Sequence, residues 1–433
     1  MLLGKIKRKE VLVAIIGLGY IGLPLAMECA KSGYKVIGLD NQEERVYMVN
    51  NSISYIADVA NEDLTNVVNR GLLEATTDYS ILKKVDCISI CVPTPLDKYK
   101  QPNISYIEGS VREIAKYLHK DMLIILESTT YPGTTEEVLQ PILESTGFKC
   151  GIDFYLAYSP ERVDPGNKRH NTKNTPKLVG GITKKCAEIA STLYGNILEG
   201  EIHVVSSPKI AEMGKILENT YRNINIALAN EMAIICDKMD IDVWEVIDAA
   251  KTKPYGFEAF YPGPGLGGHC IPVDPFYLIW KVKEYGYHTR FIELAGEIND
   301  FMSDFVLDRI GKILNKEKKA LNGSSIFILG ITYKKDIKDL RESPALKIIE
   351  GLEKQGAWVE YYDPFMPTFQ WKGKIYKSVG LTKERIEQKD LVLIITDHTN
   401  VDYKMVIESA KIVFDTRNVT KDLKNNRQNI VKL

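Results

Sequence analysis

The chain has 433 residues, more than one hydrophobic core usually organises, so two or three domains and room for a deep cleft are expected. Its 56 basic and 57 acidic residues leave a formal net charge of -1, which excludes a global field for nucleic acid or an anionic membrane and points to a small partner. Seven cysteines without Cys-x-x-Cys spacing exclude a zinc cluster, and no apolar stretch approaches the ~20 residues of a membrane span. The basic stretch Met1 to Glu10 is short and has no cleavage pattern, so no signal peptide is predicted and a reducing cytoplasm is the expected location.

The apolar, β-branched run Val11 to Ile16 meets Gly17-Leu-Gly19-Tyr20-Ile21-Gly22, then helical spacing from Leu23 to Lys31, then a second short strand, Lys35 to Leu39, ending at Asp40. This is a β-turn-α-β unit. Further strands are predicted at Cys87 to Val92, Leu123 to Leu126 and Phe154 to Tyr158, alternating with amphipathic segments such as Tyr106 to Leu118, as a parallel α/β sheet requires. Lys209 to Met239 reads as one long helix with a single internal glycine, Gly214. Helical patterns then run to about Leu314, and strands at Ser325 to Leu329, Trp358 to Tyr362, Leu391 to Thr396 and Ile412 to Asp415 predict a second α/β domain. The expected class is therefore α/β, with two Rossmann-like doubly wound domains joined by a long central helix and a helical region. The boundaries fall at 1–206, 207–314 and 315–433.

The glycine pattern sits between a strand and a helix, the context that separates a dinucleotide fingerprint from a chance match. Gly17 and Gly19 permit the tight turn and the approach of a pyrophosphate to the helix N-terminus, and Gly22 lets that helix pack on the strand. The carboxylate of Asp40 can accept from a ribose 2'-hydroxyl and would repel a 2'-phosphate, so NAD is the expected cofactor. Arg45 is a candidate for the adenine face; an exposed helical arginine is an equal account of it.

The segment Gly263-Pro-Gly-Leu-Gly-Gly-His-Cys-Ile-Pro-Val-Asp274 sets one thiol in a loop whose glycines give no side chain to a core. An isolated cysteine is more often a small buried hydrophobe. In such a loop, however, Cys270 suits aldehyde oxidation: a thiolate adds to the carbonyl, and the thiohemiacetal can lose hydride to leave a thioester that water cleaves. One thiol thus links two hydride transfers.

From about Val11 to Val419 the chain resembles the UDP-glucose/GDP-mannose dehydrogenase family. The resemblance runs through the fingerprint, Glu127-Ser-Thr-Thr-Tyr-Pro132, Ser159-Pro-Glu161, Glu212-x-x-Lys215-x-x-x-Asn219, Gly267-Gly-His-Cys270-x-x-x-Asp274 and Tyr333-Lys-Lys-Asp336 with Arg341-Glu-Ser. It implies an N-terminal NAD domain, a central helical dimerisation region, a C-terminal domain that grips the nucleotide diphosphate, and a homodimer acting on a UDP-sugar. It makes Cys270 the nucleophile, Lys215 the cation at the oxyanion, Asn219 a second donor there, and Asp274 and Thr130 the holders of the water in the first proton removal. Glu161 becomes the base for the thiohemiacetal hydroxyl and the hydrolytic water. Thr94, Thr130 and Arg341 join Gly17, Gly19, Tyr20, Ile21, Gly22, Asp40 and Arg45 at the cofactor. Glu161, Lys215, Asn219, Gly267, Lys334 and Arg417 are implied at the substrate, with Arg162 and Arg169 further candidates for substrate contact, for each of which a solvated surface charge is the plain alternative. After Glu161 the chain departs from the UDP-glucose enzymes, leaving Asp164 as only an approximate counterpart of a second family glutamate.

The segments Ser159 to Asn167 and Phe260 to Tyr277 resemble the branch acting on UDP-N-acetylhexosamines, and within it the UDP-N-acetylglucosamine 6-dehydrogenases. The alternatives are the N-acetylmannosamine and glucose substrates. A two-electron 3-hydroxyacid dehydrogenase needs no Cys270 and would form one NADH per product instead of two. A non-catalytic sensor would not need Lys215, Asn219, Cys270 and Asp274 together.

Overall fold

The computed structural model describes residues 2–56, 58–164, 166–167, 169–422 and 428–433. They form two compact units, Met1–Glu218 with Phe276–Tyr287, and Asn219–Pro275 with His288–Leu433.

In the first unit the strands are β1 (Leu12–Ile16), β2 (Lys35–Leu39), β3 (Leu73–Thr76), β4 (Cys87–Ile90), β5 (Leu123–Leu126), β6 (Tyr155–Tyr158), β7 (Lys177–Gly181) and β8 (Ile202–Val205). They form one sheet in the order β3-β2-β1-β4-β5-β6-β7-β8. β4, β5 and β6 are buried at every position because both faces are covered, which is why each reads as an unbroken apolar run. Leu23, Met27 and Val49 pack on one face, and Ile107, Val111, Ile114 and Leu139 on the other. The strand order reverses between β1 and β4, and the crevice beyond their carboxyl ends is where such sheets take ligands.

The second unit carries β9 (Ser325–Leu329), β10 (Trp358–Tyr362), β11 (Thr368–Trp371), β12 (Lys374–Lys377), β13 (Leu391–Ile394), β14 (Val413–Asp415) and β15 (Ile430–Lys432). Five of these make a parallel sheet in the order β10-β9-β13-β14-β15. The helix Arg290–Lys316 lays Met302, Val306, Ile310 and Leu314 into its core. The predicted central helix is present as Pro208–Met239, 32 residues long, and the division between the units falls inside it, after Glu218.

The expected α/β class with two Rossmann-like sheets and a long central helix holds. Two features differ from the sequence reading. The first sheet is not wholly parallel: β7 pairs antiparallel with β6, which needs no crossover helix. β11 and β12 form a hairpin whose turn residues Lys372 and Gly373 both have positive φ, 46° and 81°, as a type I′ turn requires.

Candidate active site

The glycine turn shows what each glycine does. A Cβ on Gly22 would lie 1.8 Å from the Gly17 carbonyl oxygen, and one on Gly17, at φ +92°, would lie 2.7 Å from that of Cys91. Backbone fills both places. A Cβ on Gly19 would meet nothing within 4 Å, so the open side of the turn leads to the N-terminus of the helix Gly22–Lys31. Asp40 closes the other end. Its buried carboxylate accepts from Leu18 N at 2.8 Å, Gln42 N at 2.9 Å and Arg45 Nη1 at 3.2 Å. About one of its roughly four acceptor sites is left for a ribose hydroxyl. Arg45 therefore pairs with Asp40, and its guanidinium lies 6.0 Å from the Tyr55 ring centre. Tyr20 is exposed and Ile21 half-buried, while the Thr94 carbonyl accepts from the Tyr277 hydroxyl at 2.9 Å. These residues fit an adenine dinucleotide without a 2'-phosphate. NAD is expected to exceed NADP at least about tenfold in kcat/KM, since a buried clash at Asp40 costs more than ~1.4 kcal/mol. Equal use of both in steady-state assays would remove Asp40 from the ribose.

Further side chains of interest belong to the first unit. Thr130 is fully buried behind β5; its hydroxyl meets that of Thr134 at 2.7 Å, and Thr134 donates to the Tyr131 carbonyl. The Thr134 proton being spent, Thr130 is the donor of the pair and keeps acceptor capacity for a water. Glu161 follows β6. Its Oε1 accepts from Arg162 N at 2.7 Å and Val163 N at 2.8 Å, and its Oε2 lies 3.8 Å from Lys177 Nζ. Arg162 pairs with Glu218 at 2.7 Å and donates to the Pro176 carbonyl at 2.9 Å, which ties the Glu161 loop to the long helix. Lys215, on that helix, is only 7% exposed. One turn earlier, the buried Glu212 accepts from Gly133 N, Thr135 N and Thr135 Oγ1, so it anchors the loop that carries Thr130. Asp164 is half-buried and Arg169 exposed. Pro165, in the same segment, lies outside the described residues.

The cysteine loop belongs to the second unit, and polar side chains fix it from beneath. Asn230 accepts from Gly263 N at 3.0 Å and donates to Asn299, Asn299 donates to the Asn223 carbonyl, and Ser303 donates to the Pro264 carbonyl. Gly268 N donates to the Arg341 carbonyl at 2.9 Å. A Cβ on Gly267 would lie 2.4 Å from the Tyr333 Cβ, and one on Gly263 would lie 2.6 Å from Arg417 Nη1. The glycines thus let the loop lie directly against the segments that hold Tyr333, Arg341 and Arg417. Cys270 is half-buried, and its carbonyl accepts from Asp274 N at 2.8 Å, leading into the helix Asp274–Val282. Asp274 receives a short hydrogen bond from the Asn219 amide, and both are buried. That bond uses one of the two amide hydrogens of Asn219 and leaves one to offer. The Arg341 guanidinium is bidentate on Asp339, Lys334 is half-buried, and Arg417 Nε donates to the Ile395 carbonyl at 2.7 Å.

Within the second unit, then, the structure brings together Asn219, Gly267, Cys270, Asp274, Arg341 and Arg417. Thr130, Glu161, Arg162, Lys215 and the cofactor residues other than Arg341 belong to the first. Arg169 is exposed and joins no cluster among the described residues. Sequence reasoning gave no role to Lys177, Tyr194 or Tyr333, nor to Glu127 and Glu212. Glu127, Glu212 and Tyr333 stand inside the motifs that carry the family resemblance; an isolated lysine in a short strand carries no such signal.

The chain matches three parts of the UDP-glucose/GDP-mannose dehydrogenase family: the NAD binding domain over residues 11–198, the central domain over 209–301 and the UDP binding domain over 327–422. It is 38% identical to the protein CapL of Staphylococcus aureus, over 94% of this chain and 96% of that one. It is also 38% identical to the UDP-N-acetyl-D-glucosamine 6-dehydrogenase of Pseudomonas aeruginosa, over 83% and 84%. The solved structure of the UDP-D-ManNAc dehydrogenase from Pyrococcus horikoshii superposes with a TM-score of 0.88 at 34% identity, covering 97% of this chain and 98% of that one. With its dinucleotide turn and its thiol on a glycine loop, the chain belongs to the UDP-glucose/GDP-mannose dehydrogenase family and is an NAD-dependent nucleotide-sugar dehydrogenase.

Proposed function

We propose that the protein oxidises a UDP-N-acetylhexosamine, foremost UDP-N-acetyl-D-glucosamine, at C6 to the uronic acid through a thiohemiacetal and a thioester on Cys270. The observation that carries this reading is the half-buried thiol on a glycine loop lying against Tyr333, Arg341 and Arg417, with the Asn219–Asp274 pair beside its helix. NAD, when bound, supplies the hydride acceptor for both oxidations. Asp274 and Thr130 orient the water that takes the C6 hydroxyl proton, and Lys215 and Asn219 stabilise the alkoxide. Cys270 Sγ adds to the aldehyde carbon, Lys215 and Asn219 again meet the oxyanion, and Glu161 takes the thiohemiacetal proton as the second oxidation leaves a thioester. Once Glu161 has passed that proton to solvent, it deprotonates the water that attacks the thioester; the carbon–sulfur bond breaks, Cys270 leaves as the thiolate and the carboxylate is released. The residues 1–206, 207–314 and 315–433 are the functional modules of this scheme.

Lys334, Arg341 and Arg417 hold the UDP pyrophosphate in this reading. Replacing Lys334 by Ala is expected to raise KM for the nucleotide sugar about tenfold with little change in kcat, because a contact made equally in ground and transition states is uniform binding. Steady-state kinetics check it, and an unchanged KM would place Lys334 away from the ligand.

UDP-N-acetyl-D-mannosamine is the second reading, favoured by the Pyrococcus horikoshii structure and its name. Assaying UDP-N-acetylglucosamine, UDP-N-acetylmannosamine, UDP-glucose and GDP-mannose side by side, with NADH counted per product, decides between them. One NADH per product would refute the four-electron route. A homodimer is proposed because the Pro208–Met239 helix leaves Leu217, Tyr221, Leu228 and Ile235 exposed at helical spacing. No described helix is long and apolar enough to cross a membrane, and the seven free thiols accord with a cytoplasmic location.

A further inference from the structure

We propose that Lys177 is a positioning residue for Glu161, holding the carboxylate in the single orientation from which it accepts a proton. The proposal rests on the reading of Glu161 as the base. Lys177, on β7, is 5% exposed, and its ammonium meets three oxygens: Glu127 Oε2 at 2.6 Å, the Pro160 carbonyl at 3.3 Å and Glu161 Oε2 at 3.8 Å. The Tyr194 ring covers it, with its centre 5.1 Å away. Glu127 is completely buried and fully engaged, with Oε2 on Lys177 and Oε1 accepting a short hydrogen bond from the Tyr194 hydroxyl. Lys177 therefore cannot turn away without taking from the buried Glu127 carboxylate its ion-pair partner.

A buried ion pair is a poor way to gain stability, because desolvation of both charges offsets their attraction and an apolar pair would serve as well. What it provides here is a fixed point charge beside a third carboxylate. The Glu161 Oε1 is pinned by two backbone amides of its own loop, and Oε2 is the oxygen that faces Lys177. The Lys177 ammonium is thus shared between two carboxylates, Glu127 at 2.6 Å and Glu161 at 3.8 Å. A general base must be aimed before its proton affinity matters.

The test uses the full-length enzyme with NAD and whichever of the four nucleotide sugars it turns over fastest. The double variant Lys177→Met/Glu127→Gln removes both charges together, so neither is stranded. It is expected to lose about 10- to 100-fold in kcat with KM within about threefold, and to accumulate the covalent Cys270 adduct in intact-protein mass spectra, because hydrolysis waits on Glu161. Added to Glu161→Gln, the same pair of changes should cost less than about threefold further, since the group they act through is already gone. A purely structural role would instead give additive losses and no adduct. Lys177→Arg keeps a buried cation while moving its charge, and supplies the same readouts if the double variant does not fold. Turnover within about threefold of wild type in a folded variant, or an undiminished loss on the Glu161→Gln background, would overturn the proposal. Wild-type turnover in Glu161→Gln alone would instead remove the base assignment itself.

Discussion

A Cys270→Ser enzyme is expected to lose at least about a thousandfold in turnover while keeping its fold and its affinity for NAD. Serine is nearly isosteric, and Cys270 is half-buried at the end of a loop whose anchors are other residues: Asn230 to Gly263, Ser303 to Pro264, Asn223 to Ile271. None of these bonds involves the thiol. The fingerprint Gly17 to Gly22 lies in the other compact unit, so cofactor binding measured by NADH fluorescence should persist. The chemistry fails for two reasons. A hydroxyl is a poorer nucleophile at neutral pH, and an alkoxide is a poorer leaving group, so any ester that forms hydrolyses far more slowly than a thioester. Incubation with NAD and nucleotide sugar should then give either no reaction or a stalled adduct heavier by the oxidised sugar nucleotide. If the serine enzyme keeps wild-type turnover with two NADH per carboxylate, the thioester route is wrong.

Local patterns in the sequence were enough for strands such as Cys87–Ile90, Leu123–Leu126 and Ser325–Leu329, which read as apolar runs because nearly every position is buried. Trp358–Tyr362, an edge strand with only Tyr361 buried, also begins and ends where the pattern says, on its β-branched and aromatic residues. The less regular strands were not legible. β7 ends in two glycines, β8 leaves two of its four residues exposed, and the turn of the β11–β12 hairpin uses Lys-Gly in place of Asn-Gly. The glycine-dependent parts of the site were legible for a similar reason: only a backbone without Cβ can lie 1.8 Å, measured from an imagined Cβ, from the Gly17 carbonyl or against Tyr333. The supports were not, since Asn230, Asn299 and Ser303 look like ordinary helical polar residues until tertiary packing buries them. Lys177 is the clearest case. Its meaning arises from partners 50 and 16 positions away, Glu127 and Glu161, which no local pattern connects.

The wild-type protein should lose stability relative to a Glu212→Gln variant as pH rises from about 4.5 to 8, by roughly 3 kcal/mol in total. Glu212 is completely buried, and burial pushes its carboxyl up to about 7 from an ordinary 4.5, although three donors from Gly133 and Thr135 pull the other way. A folded state that holds this proton more tightly than the unfolded chain gains stability below the unfolded value, and that gain fades as pH climbs through 7. Glutamine cannot titrate. Its amide nitrogen does face a backbone N–H that donated to the carboxylate, so the variant carries a fixed penalty, but the penalty does not change with pH and drops out of the comparison. Urea unfolding of both proteins at several pH values therefore reads Glu212 alone. A gap that stays constant across the range would mean that Glu212 does not titrate near 7. A gap that moves the opposite way would mean that its three donors outweigh burial and hold the carboxyl low. The consequence reaches the chemistry, because Glu212 joins the Thr130 loop to the helix one turn before Lys215. An ionised Glu212 strengthens those hydrogen bonds at the cost of a buried charge, so the same residue that fixes the loop makes the first unit less stable in alkaline solution.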